Sequence, residues 1–433
     1  MKELIKKIII WKLNLLAQMY LRRYKPTVVA VTGNVGKTTT KEAIAAVLSS
    51  IKNVRSGKGN LNNEFGVPLT ILGNWADDYY EASNAFSFWC KVLCSSLVKY
   101  PFQKNYPEVL VLEYGADHPG DIEKLSRLFK PHVAVVTAIG DIPVHIEFFK
   151  DKQNLVEEKS NILKNLKETD WAILNHDDEL VRPMWQKTKA RTISYGFNES
   201  SNIRVSDFNV MSENEMPSGV TFKIGDKDSF VPVRIDGTLG KSVAWSCAAA
   251  AAVGTAMGMN LVQVSNSLTR FSPPKGRLRI LKGIKNSWII DDTYNASPKS
   301  SELALETLKN VSGKRKIAVL GDMLELGDYT EQAHKEIGNL AGSIANVLVC
   351  VGDKSKFIGE SASSQISPEN VFYFDTANDA RFKVQELVEE GDIVLVKGSQ
   401  GMRMERIVEE IMAEPLKKKD LLVRQSQKWL SIK

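Results

Sequence analysis

Short apolar runs, each followed by a polar or glycine-rich turn and then by a helical pattern, recur along the chain. The first four are Val28–Val31, Val109–Leu112, Val133–Thr137 and Trp171–Asn175. Apolar runs without polar alternation are typical of strands that are covered on both faces, as in parallel sheets. We therefore predict an α/β fold with a mostly parallel sheet, joined by a more irregular β-rich section from about residue 190 to 235.

The alternation stops and then restarts in the last third of the chain. The proline- and glycine-containing stretch Arg270–Arg277 predicts a linker between two domains. Beyond it, apolar runs such as Ile317–Leu320 alternate with helical patterns and predict a second, doubly wound, Rossmann-like sheet. The predicted boundaries are 1–25 for a basic amphipathic helix, 26–272 for a central domain, 277–412 for a C-terminal domain and 413–433 for a solvated basic tail.

Composition and charge narrow the class of protein. The chain has 433 residues and a formal net charge of +6. The excess positive charge lies in residues 1–25, where Glu3 is the single acidic residue among several lysines and arginines. The remainder of the chain is near neutral. That distribution argues against a nucleic-acid-binding body. The few cysteines form no metal-binding pattern, which indicates a reducing, cytoplasmic compartment.

The basic segment 1–24 is largely apolar, but Lys12, Asn14 and Gln18 interrupt it. It is too polar to span a bilayer and lacks the small-residue cleavage site of a secretory signal. Two interpretations stay open. The segment forms either an amphipathic helix on an anionic membrane surface or a helix packed on the first domain with its lysines reaching solvent.

The turn after the first strand predicts a phosphate-binding loop. Two glycines allow a tight turn, and Lys37 opens the next helix with threonines behind it. Backbone N–H groups at a helix N-terminus attract phosphate, a lysine adds charge, and the first threonine can hold Mg²⁺. Val31 replaces the first glycine of the longer form of this motif. The predicted nucleotide-binding residues are Gly33, Asn34, Val35, Gly36, Lys37, Thr38 and Thr39.

Two further polar residues follow the next strands. Glu113 ends the second apolar run, and His145 lies in the loop after the third. Because the carboxyl ends of parallel strands meet at one edge of a sheet, Glu113 is placed to give an oxygen ligand to nucleotide-bound Mg²⁺. A single loop histidine is usually a surface residue, and only its position near this edge makes His145 a candidate.

The segment Gly57–Pro68 is rich in glycine and asparagine, which predicts a loop. Asn60, Asn62 and Asn63 offer donors and acceptors to a polar substrate. The alternative is a plain turn, since asparagine and glycine favour turns without any ligand.

Lys159 stands out in the helix predicted for residues 153–163, because it lies on the face formed by the apolar residues Leu155, Val156, Ile162 and Leu163. A lysine on such a face is unusual. Burial would lower its pKa and keep the amine neutral and nucleophilic.

Taken together, these stretches resemble the Mur ligase family over residues 27–412, and within it the branch that adds D-alanyl-D-alanine to a UDP-N-acetylmuramoyl-tripeptide. The resemblance implies a P-loop Mur ligase central domain followed by a Rossmann-like C-terminal domain. The matching stretches are Thr32–Thr40, Gly59–Pro68, Glu113–Gly120, Val144–Glu147, Lys159, Gly276–Leu278, Asp291–Ala296 and Gly321–Gly327.

The resemblance implies an ATP-dependent amide-bond ligase of peptidoglycan-precursor synthesis. In that reaction a substrate carboxylate attacks the γ-phosphate of ATP, and an amine then displaces phosphate from the acyl phosphate. The substrates are small molecules. Arg277 and Asn295 would bind the nucleotide from the second domain, so that domain closure would complete the site.

The resemblance also implies roles for the predicted site residues. Lys37, His145 and Lys159 would be catalytic. Thr38 and Glu113 would bind one Mg²⁺, and His145 together with a carbamylated Lys159 would hold a second. Carbamylation turns an amine into an anionic oxygen ligand, which accounts for an inward lysine near a metal.

The chain departs from the family pattern in two places. The first strand begins near residue 27, so we expect the family's N-terminal UDP-sugar-binding domain to be missing. The His-Asn pair and following Asn that the family has near adenine are replaced by Ser242, Val243 and Ser246, so nucleotide contacts are expected to differ.

Two alternative functions remain open. The first is the same ligase chemistry on another carboxylate or amine, met at the membrane through residues 1–24. The second is a non-catalytic nucleotide-binding or scaffold protein. The residues that together argue against it are Lys37, Thr38, Glu113, His145 and Lys159. Folate ligases share the phosphate loop, but the stretches Glu113–Gly120 and Gly321–Gly327 favour the Mur branch.

Overall fold

The structure is a computed structural model that describes residues 2–59, 61–81, 85–142, 146–213, 216–226 and 229–431. It begins with helix α1 (Lys2–Tyr24). Within the described residues, nine strands form one sheet and six form another. The mostly parallel first sheet and the Rossmann-like second sheet confirm the predicted fold class.

The first sheet lies in the part of the chain predicted as the central domain, which is called the middle domain from here on. Its strand order is β2-β3-β1-β4-β5-β6-β7-β8-β9. Neighbouring strands are parallel from β2 to β7, and the long strands β7, β8 and β9 then pair as antiparallel hairpins. The strands are β1 Thr27–Thr32, β2 Val54–Ser56, β3 Val109–Glu113, β4 Val133–Val136, β5 Trp171–Asn175, β6 Arg191–Gly196, β7 Ile203–Glu213, β8 Met216–Gly225 and β9 Phe230–Asp236.

Helices cover both faces of this sheet. Successive residues of β1 face opposite sides, so Val29 and Val31 join one apolar core whereas Val28 and Ala30 join the other. The helices are α2 Lys37–Leu48, α3 Gly66–Leu72, α4 Ala76–Glu81, α5 Ala85–Lys99, α6 Asp121–Leu128, α7 Lys152–Ser160, α8 Lys241–Ala256 and α9 Leu261–Leu268.

The second sheet has the order β10-β11-β15-β12-β13-β14, and β10 alone pairs in antiparallel fashion. Its strands are β10 Arg279–Lys282, β11 Trp288–Asp292, β12 Lys316–Gly321, β13 Val347–Val351, β14 Val371–Phe374 and β15 Ile393–Lys397. The helices are α10 Pro298–Asn310, α11 Thr330–Gly342, α12 Lys356–Ala362, α13 Ala377–Leu387, α14 Glu405–Ile411, α15 Lys418–Leu421 and α16 Gln427–Leu430.

The two domains contact each other at the loop that follows β4. Helix α9 ends at Leu268 and β10 begins at Arg279, so the stretch 269–278 joins them. A Cβ atom at Gly140 of the middle domain would lie 2.8 Å from Lys299 Cβ of the C-terminal domain. The predicted domain boundaries themselves stay a prediction.

Helix α1 packs on the middle domain, as the second interpretation of its sequence expects, and the membrane-surface interpretation stays a prediction. Its side chains Leu13, Ala17 and Tyr20 are fully buried against the middle domain, and the Tyr20 hydroxyl donates to Ser96 O at 2.7 Å. The opposite face remains exposed. Within the described residues, no helix is long and apolar enough to cross a membrane.

The C-terminal tail differs from the prediction. We expected residues 413–433 to be solvated because they are rich in lysine. Instead, Leu422 and Val423 are buried and the Arg424 side chain is only 5% exposed. The expectation holds for Lys417, Lys419 and Lys428, which are exposed, and is wrong for Arg424, whose partners lie far away in the sequence.

Candidate active site

The phosphate loop joins the end of β1 to the first turn of α2. Gly33 (φ 136°) and Gly36 (φ 87°) have backbone angles that other residues rarely adopt. The loop is fixed to the neighbouring strand, since the N–H groups of Asn34 and Val35 both donate to Ala138 O. The first N–H groups of a helix lack intrahelical acceptors, so those of α2 suit an anion.

The Lys37 side chain folds over this loop. Its ammonium donates to Gly33 O at 2.8 Å and to Asn34 O at 3.4 Å. Burial lowers the pKa of Lys37, the Glu113 carboxylate opposes that shift, and the Arg277 guanidinium adds to it. Lys37 is therefore within electrostatic range of an arginine from the second domain.

Thr38 and Glu113, which the sequence proposed as metal ligands, lie next to each other. Thr38 Oγ1 donates to Glu113 Oε2 at 3.1 Å, and Asn62 Nδ2 donates to the other carboxylate oxygen at 3.1 Å. Thr39, one position further, is half-buried. Such an oxygen pair fits a Mg²⁺ ion that takes its other ligands from phosphates and water. Among the described residues, no group of three or more His, Cys, Asp or Glu could hold a metal.

Two asparagines of the asparagine-rich loop have different roles. Asn62 contacts the candidate site, because its amide donates to the Glu113 carboxylate. Asn63 instead serves the turn, because its Oδ1 accepts from the N–H groups of Phe65 and Gly66 at the start of α3. The predicted substrate ligand Asn60 lies outside the described residues.

Lys41 is a site residue that the sequence analysis missed. It is 1% exposed, and its ammonium donates to Gly57 O and, at 3.1 Å, to Gly59 O. The residue thereby ties α2 to the asparagine-rich loop. The sequence contained a signal for the burial of Lys41, since this residue lies on the same helix face as the buried Ile44 and Leu48.

Lys159 is buried as predicted, with 1% of its surface exposed. Burial is the main reason why its pKa falls to about 7, and the charge of Lys37 lowers it further while Glu158 opposes both. Among the described residues, no hydrogen bond or ion pair involves the Lys159 amine.

The carboxylate of Glu158, which precedes Lys159 in the sequence, accepts hydrogen bonds from other parts of the chain. Glu158 accepts from Gly120 N at 2.9 Å, from Ile122 N at 2.6 Å and from Asn161 Nδ2 at 2.9 Å. Glu158 thus fixes the start of α6 rather than pairing with the lysine beside it. His145, the other predicted ligand near this position, lies outside the described residues.

The C-terminal domain reaches the site through Arg277 and the loop after β11. The Arg277 guanidinium carbon lies 4.0 Å from the centre of the Tyr294 ring, a cation–π contact. Its Nε is buried and has no hydrogen-bond partner among the described residues. Burial raises the pKa of Tyr294, the Arg277 guanidinium opposes that shift, and the Glu113 carboxylate adds to it.

Asn295 is held within the C-terminal domain. Its Oδ1 accepts from Gln400 N at 3.2 Å, and its carbonyl accepts from Lys397 Nζ at 2.9 Å. Lys397, which the sequence analysis missed, is 2% exposed and donates to Asp292 Oδ2 at 2.6 Å. Burial lowers the pKa of Lys397, Asp292 opposes the shift, and Arg277 adds to it.

The residues that replace the family's His-Asn pattern lie beneath the phosphate loop. Ser246 Oγ accepts from Thr40 Oγ1 at 3.1 Å and donates to Ser242 O at 3.0 Å. Val243 is buried in the core. These contacts join α8 to α2 and leave little polar surface at these positions for a base.

Comparison with protein families matches most of the chain to two domain models. Residues 96–253 match the Mur ligase middle domain. Residues 276–400 match the Mur ligase, glutamate ligase domain.

Individual relatives are similar over nearly the whole chain. The UDP-N-acetylmuramoyl-tripeptide–D-alanyl-D-alanine ligase of Bacillus subtilis is 31% identical over 406 residues, which cover 93% of this chain and 80% of the relative. The ligase of the same name from Escherichia coli is 29% identical, with 90% and 78% covered.

Among solved structures, MurF ligase from Thermotoga maritima in complex with ADP superposes with a TM-score of 0.76 at 27% identity, covering 95% of this chain and 84% of that one. Folylpolyglutamate synthase from Mycobacterium tuberculosis superposes with a TM-score of 0.62 at 15% identity, which indicates a shared fold only.

Proposed function

The chain belongs to the Mur ligase family, and on that premise we propose that it is the ATP-dependent ligase that joins D-alanyl-D-alanine to a UDP-N-acetylmuramoyl-tripeptide. The names of its relatives support this reaction. The observation that carries the proposal is the Thr38–Glu113 oxygen pair, 3.1 Å apart beneath a phosphate loop that also holds Lys37.

The reaction needs positioning more than covalent help from the protein. A tripeptide carboxylate attacks the γ-phosphate of ATP and releases ADP, and the amine of D-alanyl-D-alanine then displaces phosphate from the acyl phosphate. Transfer of a phosphoryl group depends on charge neutralisation and alignment. Lys37 and the N–H groups of the loop supply both on the middle-domain side, and Arg277 supplies a charge from the other domain.

Mg²⁺ is the cofactor that suits Thr38 and Glu113. When bound, it would neutralise phosphate charge. Asn62 donates to the other oxygen of the Glu113 carboxylate and would keep that side chain oriented when the ion binds.

A second Mg²⁺ would involve a carbamylated Lys159. The amine nitrogen forms a bond to the carbon of CO₂ and loses a proton, which leaves an anionic carbamate. Lys159 is buried and unpaired among the described residues, and its pKa of about 7 leaves a substantial fraction of neutral amine at cytoplasmic pH. His145 is proposed as a further ligand through the resemblance alone.

A membrane-surface location is a second, separate proposal. The exposed face of α1 carries an apolar stripe, defined by Leu4, Ile8, Trp11 and Leu15, which are 44–64% exposed. A groove of about 450 Å³ beside α1 is lined by the cationic residues Arg22, Lys25, Arg127 and Lys130. Apolar residues flanked by cations suit the interface of an anionic membrane. The chain would then act in the cytoplasm, at the inner surface of the membrane.

A coupled assay tests the main proposal. ADP release would be measured with the UDP-N-acetylmuramoyl-tripeptide and D-alanyl-D-alanine, then with each omitted, and with other carboxylates and amines substituted. We expect continued turnover of ATP to ADP only with both named substrates, and a product of their summed mass less water. If ADP is released as fast with an unrelated carboxylate as with the tripeptide, the result would favour the alternative function, in which the same chemistry acts on another carboxylate.

A further inference from the structure

The last ten described residues form a distinct feature, the C-terminal strap Leu422–Ser431. The strap begins with two buried residues, Leu422 in the apolar core of the C-terminal domain and Val423 beside the end of the interdomain linker. A Cβ atom at Gly276 would lie 3.0 Å from Val423 Cγ1. The strap is thus packed beside Arg277, which follows directly.

Arg424 connects the strap to the loop after β11. Its guanidinium donates to Thr293 O at 3.0 and 3.1 Å and also to Tyr294 O. It pairs with Glu405 Oε2 at 2.8 Å, while Arg403 Nε takes the other carboxylate oxygen at 2.6 Å. A guanidinium has a rigid set of donors, so this one fixes the two carbonyls relative to α14.

The end of the strap reaches the middle domain. The Trp429 carbonyl accepts from Arg403 Nη1 at 2.9 Å, and its ring centre lies 5.8 Å from the Arg424 guanidinium. Helix α16, which contains Trp429, contacts α4. On α4, Tyr80 lies against the asparagine-rich loop, since a Cβ atom at Gly59 would be 3.0 Å from the Tyr80 hydroxyl.

We propose that the strap connects the loop after β11 to the asparagine-rich loop of the middle domain, and that Arg424 is a positioning residue for nucleotide. Arg424 holds the backbone of Thr293 and Tyr294, Tyr294 stacks on Arg277, and Arg277 lies within electrostatic range of Lys37. The role assigned to Arg424 rests on the proposed function only in naming ATP as the nucleotide. It uses a segment that the matched domain models, which end at residue 400, do not include.

The strap also accounts for the two buried charges of Arg424 and Glu405. Arg424 and Glu405 have side chains only 5% and 1% exposed. A buried ion pair by itself is weak evidence of a stabilising role, because hydrophobic replacements often match it. Backbone carbonyls, in contrast, need donors that an apolar side chain cannot supply.

The test uses the full-length chain with Arg424→Gln, Arg424→Lys and Trp429→Ala, and Lys428→Ala as control. Lys428 is exposed in the same segment. Affinity for Mg·ADP would be measured by calorimetry, together with the KM for ATP, kcat and the melting temperature. ADP binding requires no acceptor, so the result stands even if the proposed ligation fails.

We expect Arg424→Gln to weaken Mg·ADP binding and raise the KM for ATP by at least about tenfold, since small displacements of positioning groups have large effects. Arg424→Lys should recover part of the loss, and Trp429→Ala should act in the same direction but less strongly, even if Arg424→Gln fails to fold. Lys428→Ala should match the unchanged protein. Lower melting temperatures with unchanged nucleotide affinity and KM in the folded variants would overturn the proposal.

Discussion

Thr38 Oγ1 donates to Glu113 Oε2 across 3.1 Å, although the two residues are 75 positions apart in the sequence. The contact exists because β1 and β3 are adjacent parallel strands whose carboxyl ends coincide, with Val31 paired to Glu113. The register of the sheet therefore places a carboxylate beneath the phosphate loop.

Glu113→Gln should raise the Mg²⁺ concentration needed for half-maximal activity by at least about tenfold, because even groups that only support a metal ligand contribute that much to affinity. Glutamine keeps the size and the acceptor of Glu113 but removes its charge. Glu108→Gln, just before the start of the same strand, is the control. An unchanged Mg²⁺ dependence in Glu113→Gln would remove the carboxylate from the metal site.

Lys37→Ala should lower kcat by about 10²–10³-fold, the effect of removing one preorganised contact to transition-state charge. The melting temperature should change little, since the ammonium contacts only loop carbonyls of the described residues. Lys52→Ala, beyond the far end of α2 where its side chain pairs with Glu108, is the matched control. ATP turnover at the original rate would rule out this loop as the reaction site.

Lys159→Ala should be nearly inactive, with a loss of at least about 100-fold. Small carboxylic acids added in solution should restore part of the activity by taking the position of the carbamate, and Lys159→Glu should keep a trace. The control is Lys164→Ala, an exposed lysine close by in the sequence. A structure with Mg²⁺ and nucleotide in which an unmodified Lys159 lies more than about 10 Å from any metal, outside ligand distance, would refute the carbamate.

Substitution of Trp11 and Leu15 by serine should weaken binding to vesicles rich in anionic lipid at low salt and leave ligation in solution unchanged. Each cation near such a surface contributes about 1 kcal/mol, and buried apolar groups add to it. Val262→Ser removes an apolar side chain, 59% exposed, from α9 and serves as control. If the unsubstituted chain does not bind vesicles at low salt, α1 is only structural.

Deletion of residues 1–24 would not isolate membrane contact from folding. The structure buries Leu13, Ala17 and Tyr20 completely. Removing them would open the core of the middle domain at a cost of several kcal/mol per large side chain, so only point substitutions separate membrane contact from folding.

The sequence predicted those parts of the site that depend on local pattern. Buried apolar runs located β1, β3 and β4, and parallel pairing then placed their polar ends together. Helical periodicity identified Lys159 as buried. The same reasoning applied to α2 would have found Lys41, whose acceptors lie only 16 and 18 positions further along.

Other site residues have partners that no local pattern reveals. Lys397 meets Asp292 across 105 positions, and Arg424 meets Thr293 across 131. A run of lysines and arginines near a chain end normally predicts a solvated tail, because unpaired charges avoid burial. Backbone carbonyls and Glu405 provide the compensation here, and neither can be read from residues 413–433.

The central claim is that this chain forms an acyl phosphate from a carboxylate and ATP before it forms an amide bond. The most direct test supplies the tripeptide substrate with oxygen-18 in its terminal carboxylate and measures the mass of the phosphate that is released. The account predicts one labelled oxygen in each phosphate, because the carboxylate oxygen that attacks ATP leaves with the phosphate. Unlabelled phosphate, released together with amide product, would contradict it.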